Sequence, residues 1–121
     1  LVVRDCLEEV AETDTDLAPS IYARLSRQVP EIDQHIDYLD ERMRGRMLDQ
    51  VYQLLLGELD RDYLAFESRM HEGYGATPAM YRGMLQAVKE EVRDVLGPHW
   101  SDSRDAAWNC TIDRIVVELT Q

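Results

Sequence analysis

One histidine sits where its surroundings could hold it for chemistry. His71 belongs to the stretch Met70–Tyr81, Met-His-Glu-Gly-Tyr-Gly-Ala-Thr-Pro-Ala-Met-Tyr, which joins two amphipathic runs. Gly73 and Gly75 are expected to supply the positive φ that ends a helix, and Pro78 suits the first turn of the next. His71 is thereby placed in the last turn of a helix, beside a sharp corner. A neutral imidazole there can anchor one ring nitrogen by a hydrogen bond and leave the other free to bind a metal. Other chemistries find little footing. The chain has no GxGxxG or phosphate loop, no HExxH, no CxxC pair and no EF-hand loop, and no two carboxylates are set apart as an acid–base pair.

The elements that must position His71 all have helical period. Leu1 to Glu12 carries Val3, Cys6, Leu7 and Val10 on one stripe, and the polar break Thr13–Asp16 can cap the next helix. That second helix holds Leu17, Ile21, Tyr22 and Leu25 and stops near Val29, before Pro30; Pro19 is tolerated in its first turn. Pro30-Glu31 opens a short helical turn with Ile32 and Ile36 inward. A polar link at Asp37–Glu41 leads to a long helix, Arg42 to Leu56, with Met43, Met47, Leu48, Val51, Leu54 and Leu55 on one face. Gly57 and the Asp-Arg-Asp cluster at 60–62 interrupt it, and a further segment from Tyr63 through Met70 reaches His71. After the corner, Met80, Met84, Leu85, Val88, Val92 and Leu96 stripe a helix that ends at Gly97-Pro98. The last helix starts within Ser101–Asp105 and turns Ala106, Trp108, Ile112, Ile115, Val116 and Leu119 inward. With no strand pattern anywhere, the expected class is all-α: one domain over 1–121, with six to eight helices around a pocket.

The corner resembles that of bacterial single-domain globins and of the globin part of flavohaemoglobins, in which a His is followed by a Pro seven residues on and a Tyr three later; here these are His71, Pro78 and Tyr81. Tyr22, eight residues before Pro30-Glu31, the Leu96-Gly97 end with Trp100 after it, and Ala107-Trp108 extend the likeness over nearly the whole chain. The resemblance implies a globin-like fold around haem b (iron protoporphyrin), with His71 as the proximal iron ligand. It makes Tyr81 a hydrogen-bond partner of that imidazole and Tyr22 a distal donor to a bound diatomic gas. Met43 and Met47 would form the distal wall. Met43, 28 residues before His71, stands where globins carry a distal His or Gln, and Ile36, six after the Pro, where they carry a Phe against the haem. His35, beside Ile36, reads first as a surface residue, with an approach to a haem propionate or the pocket mouth as its alternative. His99 reads as exposed, and Arg44 and Arg46 as a solvated face that could pair with haem propionates or bound ligand.

The implied function is reversible binding of dioxygen or another diatomic gas, with nitric oxide conversion to nitrate where an external reductase supplies electrons. The alternatives are a haem-free globin-fold module for sensing or protein interaction, the gas-sensing domain of a longer signalling protein, and a generic helical binding bundle. A net charge of −11 argues against nucleic acid and anionic membrane as partners. Cys6 and Cys110, far apart and without metal-type spacing, are expected as buried thiols on the terminal helices of a reduced, cytoplasmic protein.

Overall fold

The helical periods become helices almost where they begin and end. The computed structural model describes residues 1–120. In order it has α1 (Val2–Glu12), α2 (Ala18–Gln28), a 3-10 turn (Pro30–Ile32), α3 (Asp33–Ile36), α4 (Glu41–Leu56), α5 (Arg61–Gly73), α6 (Pro78–Leu96), a second 3-10 turn (Gly97–His99) and α7 (Asp102–Leu119). The fold is all-α, with no strand among the described residues. No helix there is long and apolar enough to cross a membrane.

Local chemistry sets the helix starts. Asp40, Asp60, Thr77 and Ser101 each accept a hydrogen bond from the backbone N–H three residues on, which satisfies a donor that the first turn leaves open. The polar break before α2 works differently: Asp16 accepts from the N–H of Ala18 at 3.0 Å, and Leu17 is the N-cap. At the corner only Gly75 takes a positive φ, of 89°; Gly73 is the last residue of α5. The α5 helix therefore runs two residues past His71 before it turns.

The core is built on α6, which packs against α1, α2 and α7. Trp108, Ile21, Leu25, Ile112, Val88 and Val92 are wholly enclosed there, and burying an aliphatic side chain of this size contributes roughly 1.5–3 kcal/mol. The α2–α6 crossing is so close that a Cβ on Gly83 would lie 2.6 Å from Cγ2 of Val29. Arg24 clamps the same crossing, binding Glu91, Glu90 and Asp94 at 2.7, 2.9 and 2.6 Å. Lys89 of α6, unforeseen from the sequence, is buried and donates to Asn109 Oδ1 at 2.7 Å and Asp105 Oδ1 at 3.0 Å on α7. That ammonium, with help from Trp100 and Asn109, holds the Asp105 carboxyl below its usual range.

Two inward assignments fail at the ends of the chain. Ala106 is exposed on the first turn of α7, and Cys110 is an exposed thiol, whereas Cys6 is fully buried. On an 18-residue helix covered along one side only, a small residue between Trp108 and Ile112 falls toward water.

Candidate functional site

A cavity of about 340 Å³ opens between α3, α4, α5 and α6. Ile36, Met47, Val51, Leu54, Leu64, Met80, Met84 and Leu85 make its walls mainly apolar, and His35, His71, Tyr81 and Ser68 bring polar atoms to it. This volume lies at the lower end of small-molecule sites, which span about 300–1,000 Å³. No residue of α5 is buried, and the helix is tethered by a few contacts: Ser68 donates its hydroxyl proton to the Leu119 carbonyl, and Gln50 donates to the Tyr63 hydroxyl at 2.8 Å. The cavity therefore lies beneath a lightly packed helix.

His71 lines the cavity from the last turn of α5. Its Nδ1 lies 2.7 Å from the Glu67 carbonyl oxygen, one helical turn back. A carbonyl can only accept, so Nδ1 carries the proton and the neutral ring keeps its lone pair on Nε2. The Glu67 carboxylate, 3.7 Å from Nδ1, adds negative charge on the same side. Such a partner fixes the tautomer and the orientation of the ring as a ligand.

Tyr81 reaches the cavity from the first turns of α6, its ring centroid 6.4 Å from that of His71 and tilted by 56°. Its hydroxyl is buried with no hydrogen-bond partner of good geometry. Burial pushes its pKa up, the neighbouring Ser68 hydroxyl pulls it down and Glu72 pushes it up again. A buried, protonated phenol with no well-formed hydrogen bond, only the Ser68 hydroxyl nearby, keeps a proton that it can donate.

Tyr22 and Met43 are placed elsewhere. The Tyr22 hydroxyl donates to the Arg44 carbonyl at 2.7 Å, and burial raises its pKa to about 12 against the lowering effect of Arg44. Arg44 lays its guanidinium over the Tyr22 ring, 5.2 Å from the centroid, and donates to the Ile36 carbonyl at 3.0 Å. Together the two residues pin α4 to α2 and to the end of α3, and Tyr22 does not line the cavity. Met43 is 46% exposed and also lies outside the lining. The α4 face is narrower than the sequence stripe: Met47 meets the cavity, Leu48 the core and Met43 water.

Of the two readings of His35, surface residue or pocket mouth, the second holds: it lines the cavity, and a Cβ on Gly75 would sit 3.4 Å from its Cε1. Tyr38, Tyr63, Met70 and Tyr74 complete the mouth. Tyr63, Glu67, Met70, His71 and Tyr74 recur at helical spacing, a pattern that would have identified this side of α5 as the cavity wall. His99 is exposed, as expected. Among the described residues no three His, Cys, Asp or Glu side chains gather as a multidentate metal site, so a metal held here would need a ligand set of its own. Comparison with protein-family models, curated proteins and solved structures returns no match for this chain.

Proposed function

We propose that the chain is a globin-like haem-binding protein for a diatomic gas, with His71 as the proximal ligand of haem b. The observation that carries the proposal is the Nδ1–H of His71 held by the Glu67 carbonyl at 2.7 Å on the wall of an apolar cavity. That arrangement leaves a single oriented lone pair, which suits a metal that already has four ligands from a macrocycle. The order of elements also fits: Tyr22 on the second helix, His71 on α5 and two long helices closing the chain. Haem bound here would supply the iron at which the gas is taken up.

The chain's own residues would do the rest. Ile36, Met47, Met80 and Met84 would exclude water, and α5, which buries no residue, has little packing to lose if it shifts to admit a flat ring. Tyr81 offers its unpaired proton beside the imidazole. Tyr22 acts first by fixing α4; a distal role would require its hydroxyl to leave the Arg44 carbonyl. The engaged Tyr22 and the exposed Met43 favour one rival reading, a haem-free module that takes an apolar ligand in the same cavity.

Visible spectra of the ferric, ferrous and carbon monoxide forms, recorded on protein purified with haem available, separate the two. A Soret band that shifts with carbon monoxide and is lost or altered in His71→Ala supports the haem reading. A colourless protein that ignores added haem would overturn it in favour of the haem-free module.

A further inference from the structure

Around the cavity mouth, large side chains stand in water. Tyr38 and Tyr74 are 72% and 69% exposed although both line the cavity, and Met70 beside them is 41% exposed. With Tyr63 they make four exposed large apolar side chains on this one mouth, while Leu1, Val2, Met43, Phe66 and Val117 are exposed outside the lining. Tyrosine offers a broad contact area with little rotamer entropy to lose, which makes it a common anchor at interfaces.

The charge around this rim is one-sided. Segments 37–42 and 58–74 hold eight carboxylates against three arginines. Asp37, Glu41, Asp62 and Glu72 make no ion pair among the described residues, whereas Glu90, Glu91 and Asp94 on α6 are drawn onto Arg24. The acidic charge of α6 is thus partly neutralised from within, whereas the rim segments keep an excess of carboxylates over Arg42, Arg61 and Arg69.

We propose that the tyrosine rim is the docking site for a second protein whose contact face is a ring of basic residues around an apolar centre. Complementary charge would steer the encounter and the tyrosines would hold it. A second copy of this chain would oppose two acidic rims, and nucleic acid and anionic membrane are repelled in the same way. The docked protein sits over the cavity, next to the helix that carries His71. That such a partner delivers electrons to the cavity rests on the haem reading; the docking does not.

Ferrous cytochrome c, with lysines ringing an exposed apolar edge, is the probe. It is titrated into the ¹⁵N-labelled chain, followed by amide chemical shifts. The expected result is perturbation confined to segments 37–42 and 58–76, lost on adding salt. Tyr38→Ser/Tyr74→Ser, which leaves net charge unchanged, should weaken binding roughly tenfold. Circular dichroism confirms that the double variant keeps its helices. No perturbation, shifts spread equally over α2 and α6, or wild-type affinity in the tyrosine variant would each overturn the proposal. Concentration-dependent shifts at the rim in the chain alone would replace it with self-association. A chain that docks but takes no haem keeps this inference and loses the haem reading, and the converse result is equally distinct.

Discussion

The two helices that meet at the Gly75 corner are built to opposite ends. Nine of the 19 residues of α6 are buried, while α5 buries none of its 13. The α6 helix touches three others at close range, whereas α5 touches α7 and lies over the cavity. Close packing gives stability because every enclosed side chain keeps its dispersion contacts and stays out of water. A helix over a cavity forgoes both, and the free energy withheld there is what a ligand can supply. Rigidity and receptivity are thus divided between adjacent segments of one chain.

The sharpest way to break this contrast is to damage both sides alike. Trp108→Ala should cost about 3–5 kcal/mol in urea unfolding, while Leu64→Ala on α5 should cost about 1 kcal/mol or less because Leu64 is already partly in water. Equal losses would erase the distinction. Native-state hydrogen exchange tests it without mutation: α5 amides should exchange through local opening, and α6 amides only with global unfolding. Gly83→Ala sharpens the core side. Its methyl would meet Val29 at 2.6 Å, and the gain in helix propensity offsets part of the clash, leaving a net loss of about 1–2 kcal/mol. Tyr81→Phe sharpens the cavity side in the opposite sense. Deleting a buried hydroxyl that has no partner should stabilise the ligand-free protein by about 1 kcal/mol, read as a higher Tm. The smallest effect is Gly45→Ala on α4, where nothing lies within 4 Å of the new methyl; about 0.5–1 kcal/mol of stabilisation is expected.

The helices were legible because their ends are written in local chemistry. Asp40 and Thr77 cap, Pro78 enters, and Gly57 and Gly97 leave with φ of 71° and 52°. The long helix expected over Arg42–Leu56 begins one residue earlier, at Glu41. The position of His71 in the last turn of its helix was equally local. What lines the cavity was not, because an apolar stripe says only which side is dry. Met43, Met47 and Leu48 share the sequence stripe yet meet water, cavity and core in turn. The hydrogen bond of Tyr22 depends on where α4 crosses α2, and its acceptor lies 22 residues away. His35 comes to the cavity because the end of α3 abuts the loop at Gly75, a meeting that neither segment announces. Lys89 finds Asn109 twenty residues on, across two helices.

The two thiols, one enclosed in α1 and one open on α7, make the chain its own gauge of conformational opening. A maleimide or disulfide reagent in excess should label Cys110 at once and Cys6 only when α1 lifts from the core. The delay between the first and second equivalents then times that event in the natural sequence, with no engineered cysteine. In Cys110→Ser the remaining slow phase would belong to α1 alone. Because Cys6 packs with the α6 side and not the cavity, loading the cavity should leave this clock nearly unchanged if α5 opens by itself, and slow it if the two halves open together.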